Sequence, residues 1–290
     1  MSVGLLDYYR QFEALTPEEQ RQQAHEHLLE RQRDALEHVE PLDLSSTTWP
    51  GLPHPAVVTA VTWTARRGMH GYADPLGGEL RAELARHHGV AAARVAVGHG
   101  AAQLLEAAAQ ALLGPGDELL SPWPTYPLYP LVARRCGAHA VATRNAAGDA
   151  VAGAVSPRTR LVVLCSPNDP TGEVLSSELL RDLLEGLPER IVVVLDEALV
   201  DFATSRPRDE ALALLEDHPR LVVVRTFSKA WGLAGLRCGY ALGGPGAEPP
   251  ARASCSPSGG GRARPGRRPG GAALDRRCGR PPRPRRGRGA

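Results

Sequence analysis

From Val95 onward, short aliphatic runs recur along the chain, at 95–97, 118–121, 138–143, 161–165, 191–195 and 221–225. Most are apolar at successive positions rather than at alternate ones, which predicts strands of a sheet covered on both faces. Between them the spacing predicts helices over 101–113, 177–187 and 209–217, the first stopped by Gly114-Pro115. Strands alternating with helices predict an α/β fold: a mixed, mainly parallel sheet covered by helices.

Ahead of this region the pattern is polar. Thr16-Pro17-Glu18-Glu19 reads as a helix start, with Thr16 as N-cap and Glu19 completing a capping box. The helix is expected to run to about His38. Residues 42–49 read as a short extended stretch, 50–55 as a turn-rich connection, and His87-His88 as the end of a further helical run.

Composition sharpens this picture in three places. Aromatic residues make up only 4% of the 290, so Val, Leu and Ala must fill the interior. No early basic-then-apolar stretch is present, and no segment approaches ~18 uninterrupted apolar residues, which implies neither secretion nor membrane insertion. Five cysteines without paired short spacing fit free thiols in the cytoplasm. The histidines show no metal-site spacing, so no metal is expected.

The formal charge of +2 conceals a division. Residues 251–290 hold 12 Arg and one Asp, which is +11 and leaves −9 for residues 1–250. This tail also carries 9 Gly, 6 Pro, no aromatic residue, and Leu274 as its one large aliphatic side chain. Such a composition cannot bury enough apolar area to offset chain entropy, and predicts disorder. The expected organisation is an N-terminal helical arm (1–41), a large domain (42–248) and an Arg/Gly/Pro-rich tail (249–290). GC-rich DNA read out of frame encodes this kind of composition, so the tail reads as a frameshift product. A cationic arm for nucleic acid is the rival reading, weakened by the lack of aromatic residues to interleave with bases.

Among the 34 basic residues, Lys229 is the only lysine. An amine can lose its proton and form a Schiff base, whereas a guanidinium stays protonated. A leftover surface lysine is the plain alternative. Four features sit at the ends of predicted strands, where open α/β sheets place ligands. Gly98-His99-Gly100-Ala101-Ala102 lets helix N-terminal amides approach a phosphate. Ser166-Pro167-Asn168-Asp169-Pro170-Thr171-Gly172 follows the 161–165 strand. Asp196-Glu197-Ala198 offers a carboxylate that could anchor a protonated ring nitrogen or cap the next segment. The stretch from Arg225 through Thr226, Ser228, Lys229 and Arg237 to Tyr240 supplies an amine, two hydroxyls and a second cation.

In this order and spacing the features resemble the fold-type-I pyridoxal-phosphate enzymes, in particular class I/II aminotransferases of the histidinol-phosphate aminotransferase type, over roughly residues 42–243. The resemblance implies a large domain with a seven-stranded sheet, a small C-terminal domain, and a homodimer with active sites at the subunit interface. It implies pyridoxal 5'-phosphate as cofactor, and amino-acid and 2-oxo-acid substrates.

Roles follow from the same resemblance. Lys229 would form the Schiff base and shuttle the proton, and Asp196 would pair with the pyridinium nitrogen. Arg237, Ser228 and Thr226 would hold the phosphate, helped by the amides after Gly100, those of Ala101 and Ala102. Tyr126 would stack on the ring, and Tyr72 would reach the partner subunit's phosphate.

The sequence departs from the family in three places. The family's Asn before Pro-Thr-Gly, a donor to the ring oxygen O3′, is here Asp169, with Asn168 one residue earlier. The family's Tyr three residues after the aspartate, a second donor to that oxygen, is Leu199. After Gly243 the expected continuation into the small domain gives way to the Arg-rich tail. Decarboxylase or lyase chemistry, and a non-catalytic fragment, therefore stand as alternatives to transamination.

Overall fold

The computed structural model describes residues 16–37, 46–72 and 74–245. The tail at 249–290, and the first half of the expected extended stretch at 42–49, lie outside these residues. Helix α1 (Pro17–Glu37) starts as its sequence predicts. The Thr16 N–H donates to Glu19 Oε2 at 2.8 Å, and the Glu19 N–H to Thr16 Oγ1 at 3.4 Å. Two further helices, α2 (Pro55–Gly68) and α3 (Gly78–His88), precede the sheet.

Seven strands form one sheet: β1 (Val95–Gly98), β2 (Glu118–Pro122), β3 (His139–Thr143), β4 (Thr159–Cys165), β5 (Val192–Asp196), β6 (Leu221–Thr226) and β7 (Gly239–Gly243). Their order is β1-β7-β6-β5-β4-β2-β3. Pairings from β6 through β3 are parallel, and β7 runs antiparallel to both its neighbours, β1 and β6. The mixed, mainly parallel sheet is the one expected.

Alternation along each strand divides the core in two. Leu120, Val162, Leu164, Val193, Leu195 and Val223 pack with Leu180, Leu183 and Leu184 of α7 (Ser177–Gly186). Leu119, Leu161, Val163, Val194, Val222 and Val224 pack on the other face. That face is covered by α4 (Gly100–Leu112) and α5 (Leu128–Arg135). Helix α4 buries Ala101, Leu104, Leu105, Ala108 and Ala109, the i, i+3, i+4, i+7, i+8 stripe of an amphipathic helix. Helix α7 is N-capped by Ser176 Oγ, which accepts from Leu179 N at 3.2 Å, a contact worth about 1 kcal/mol. A short helix, α6 (Gly148–Ala154), completes the layer beside α7.

One expected helix takes another form. The 209–217 stretch is a 3-10 segment, Glu210–Leu215, that still buries Ala211, Leu214 and Leu215. Its N-terminal flank is held by a charge: Asp209 accepts from Arg225. Among the described residues, no helix is long and apolar enough to cross a membrane.

Candidate active site

The C-terminal ends of β4, β5 and β6, with the start of α4, converge on one cavity of about 180 Å³, as expected for an open α/β sheet. Lys229, Asp196, Arg237, Ser228, Thr226, Tyr126, Asp169, Ala101 and Ala102 all line it. Residues drawn from five separate stretches of sequence thus share one concavity.

Asp196 closes β5 and is 2% exposed. Its Oδ2 accepts from the Tyr129 phenol at 2.9 Å, and its Oδ1 from the Ala198 N–H at 3.0 Å. Burial raises the Asp196 pKa, while these two hydrogen bonds and nearby Lys229 pull in the opposite direction. The carboxylate is thus buried, partly satisfied, and short of one full counter-charge.

Period-two alternation sends the adjacent residues the other way. Glu197 lies between two arginines: Arg225 Nε and Nη2 donate to its Oε2 at 2.9 and 2.7 Å, and Arg206 Nη2 to its Oε1 at 2.8 Å. Burial pushes the Glu197 carboxyl up and the arginines pull it down. Burial opposes the Arg225 charge, but Glu197 and Asp209 more than offset it, so its pKa is raised. This pair fastens β5 to β6 one residue from Asp196 and one from Thr226.

The segment after β6 turns back on itself to enter β7. Thr226 Oγ1 lies 3.0 Å from Ser228 Oγ and 3.2 Å from the Cys238 carbonyl oxygen. Arg237 Nη1 donates to Ser228 Oγ at 3.2 Å and to the Ala234 carbonyl at 3.0 Å. Arg237 adopts a left-handed backbone (φ 49°), uncommon for a residue with a side chain and often found at functional sites. Lys229 Nζ donates to Thr47 Oγ1.

Two glycines make this approach possible. A Cβ on Gly100 (φ +78°) would lie 2.6 Å from Arg237 Nη2. A Cβ on Gly239 would meet Ala101 N and Gly100 C at 2.8 Å and Arg225 O at 2.9 Å. Only bare backbone brings β7 against the start of α4, so the Arg237 guanidinium and the α4 N-terminal amides meet at one spot.

Three expected site residues stand elsewhere. Gly100 abuts Arg237 without lining the cavity. Asn168 faces the adjoining cleft, where its Oδ1 accepts from Thr125 Oγ1 at 2.7 Å. Its Nδ2 donates to the Pro124 carbonyl at 3.0 Å and to Thr171 Oγ1 at 2.8 Å, so both amide hydrogens are committed, and Asp169 alone of the two lines the cavity. Tyr72 is fully exposed and lies outside the cavity of its own chain.

Other residues join that the sequence did not single out. Thr48 lines the cavity beside Lys229, along with Leu199, the residue already marked as standing where the family has Tyr. Cys165 forms part of the wall shared with the Asn168 cleft, its thiol pushed up to about 12 by burial and by Asp196. Tyr129, 0% exposed, carries the contact to Asp196 and meets Tyr126 edge-on at 5.8 Å. Its one sequence signal was a second aromatic three residues after Tyr126, just inside the start of α5.

A lone amine, a buried carboxylate, and a guanidinium–hydroxyl–amide cradle thus meet in one cavity at the C-terminal edge of a seven-stranded, mainly parallel sheet. Residues 39–252 match the family described as aminotransferase class I and II, and the chain belongs to that family. It is 42% identical over 207 residues to an aromatic amino acid aminotransferase of Cutibacterium acnes, covering 70% of this chain and 58% of that protein. It is 44% identical over 178 residues to a histidinol-phosphate aminotransferase of Erythrobacter litoralis, covering 60% and 48%. The chain therefore spans about half the length of these curated relatives. The fold is similar to that of a histidinol-phosphate aminotransferase from Sinorhizobium meliloti solved in complex with pyridoxal-5'-phosphate. The TM-score is 0.62 at 30% identity, over 70% of this chain and 60% of that one. An aspartate aminotransferase from Rhizobium meliloti gives 0.66 at 26% identity, over 83% and 63%.

Proposed function

We propose that the chain binds pyridoxal 5'-phosphate and transfers amino groups between an amino acid and a 2-oxo acid. The observation that carries this reading is the single cavity shared by Lys229, buried Asp196 and the Arg237 cradle.

The donor set fits the cofactor. Arg237, Ser228, Thr226 and the N-terminal amides of α4 supply cation, hydroxyls and N–H groups for a phosphate. Asp196, short of a counter-charge, suits a protonated ring nitrogen, and Tyr126 offers an aromatic face. When bound, the cofactor supplies an electron-withdrawing ring that takes up the charge released as a substrate Cα–H bond breaks.

The chain's own residues do the rest. Lys229 Nζ is the covalent anchor and, once released, takes the proton from the substrate Cα and returns it at C4′. Asp196 pairs with the ring nitrogen and favours its protonated form, while the hydrogen bonds from Tyr129 and Ala198 oppose the burial that raises the Asp196 pKa and fix its direction.

In this reading the active form is a homodimer in the cytoplasm. Full exposure of Tyr72 supports its acting on a partner's phosphate, and half-exposed Val58 and Trp63 on α2 support a covered face there. The decisive experiment is a single turnover: the cofactor-loaded chain plus an amino donor, without acceptor. Stoichiometric pyridoxamine 5'-phosphate supports transamination. Release of carbon dioxide or an elimination product with pyridoxal phosphate unchanged would favour the second reading, to which Asp169 in the cavity lends weight.

A further inference from the structure

The cavity opens on the side of Thr48 and Leu199. Both residues also line a wider groove of about 580 Å³. Its apolar walls come from Trp49, Pro167, Val174, Leu199 and Phe202, and its polar positions are Ser and Thr hydroxyls. None of its described lining residues carries a charge.

The groove is joined to the reacting amine through named contacts. Lys229 Nζ donates to Thr47, which also lines the groove. Trp49 packs on the Lys229 loop: a Cβ on Gly232, three residues past Lys229, would lie 3.6 Å from Trp49 Cδ1. Trp49 and Phe202 stack at 6.4 Å with planes 19° apart, yet remain 49% and 43% exposed. A pair of half-exposed aromatic rings rimming a concavity next to a nucleophile marks a ligand surface.

We propose that this groove receives the side chain of the amino-acid substrate, and that this side chain is aromatic or bulky and apolar rather than acidic or phosphorylated. The inference rests on the reading of Lys229 as the reacting amine. An aromatic ring entering the groove stacks on Trp49 and Phe202 and leaves water. A carboxylate or phosphate there would lose hydration against Pro, Leu and aromatic carbon with only hydroxyls in return. The nearest cations of the cavity are committed, Lys229 to the reaction and Arg237 to the cofactor phosphate. Specificity is then set by exclusion of charge as well as by fit.

Non-reacting conjugates separate this claim from the one beneath it. The chain is titrated with N-(5'-phosphopyridoxyl)-phenylalanine, with the aspartate and histidinol-phosphate conjugates, and with pyridoxal 5'-phosphate itself, by calorimetry. The phenylalanine conjugate is expected to bind about tenfold or more tightly than either charged one. Phe202→Ala should shrink that ratio and Phe202→Arg should reverse it, with pyridoxal phosphate affinity of each variant measured alongside as the check on folding. Equal or tighter binding of a charged conjugate overturns the groove assignment while leaving the cofactor site standing. Failure of pyridoxal phosphate itself to bind overturns the underlying reading, and this inference with it.

Discussion

The Tyr129 phenol donates to Asp196 Oδ2 at 2.9 Å across a fully buried contact that joins α5 to the end of β5. A hydrogen bond to an ionised group contributes about 1.5–3 kcal/mol, and here it opposes the burial that raises the Asp196 pKa.

Tyr129→Phe keeps the ring and removes the donor. Asp196 then moves further toward its neutral acid, which cannot counter a protonated ring nitrogen. The expected outcome is a folded protein with pyridoxal 5'-phosphate affinity reduced about tenfold, measured by fluorescence titration. Unchanged affinity contradicts the role given to Tyr129.

Glu197→Gln leaves Arg225 and Arg206 buried without their shared carboxylate. Removing one member of a buried ion pair costs about 3–5 kcal/mol, so the urea midpoint should fall steeply. The double variant Glu197→Gln with Arg225→Met should lose less than the sum of the two single losses.

His88 sets a pH dependence. Burial, and then Arg225, hold its pKa down to about 4 in the folded chain, against 6.5 for the free side chain. Between these values the unfolded chain takes up a proton that the folded chain refuses. Stability from this group is complete above pH 6.5, falls as pH drops towards 4, and is constant below that. Because the ring is half exposed, the loss is on the order of 1 kcal/mol. His88→Gln should flatten this part of the stability curve, read from urea midpoints between pH 7 and 4.

How much of this was legible in the sequence depended on which physical signal each residue carries. Strands β4, β5 and β6 announced themselves because a doubly covered strand is apolar at consecutive positions, whereas the edge strand β3 is mostly exposed and shows only a weaker run of small apolar residues. Strand β7 has two glycines in five residues and escaped that signal; Gly239 is there for backbone clearance, which composition does not reveal. Helix α2 was hidden because no described residue of it is buried, so it carries no core-facing stripe. Lys229, Asp196 and Arg237 were singled out through their chemistry and spacing, and the fold brings them to one cavity. Tyr129 and Thr47 were not, since each acts through a contact made across 67 and 182 residues of chain. The roles of Asn168 and Asp169 differ by a rotation of side-chain direction that only the folded loop fixes.

Asp169 and Leu199 line the cavity, and an ionised carboxylate and an alkyl group cannot donate to the cofactor's ring oxygen. The absorption band of the Lys229-bound cofactor should therefore titrate at a higher pKa than Asp169→Asn shows, because the variant restores a donor. A spectrophotometric titration of both proteins checks this. A variant pKa equal to or above the parent's contradicts it.

With Lys229 as the covalent anchor, the cofactor has one side-chain amine to attach to. Lys229 is the chain's only lysine, so a side-chain amine can be labelled at one position alone. The chain loaded with pyridoxal 5'-phosphate is reduced with borohydride, digested and analysed by mass spectrometry. One phosphopyridoxyl group per chain is expected, on the peptide containing Lys229, and none in Lys229→Arg. A Lys229 peptide of unmodified mass after reduction, or a label confined to the N-terminal amine, contradicts Lys229 as the anchor.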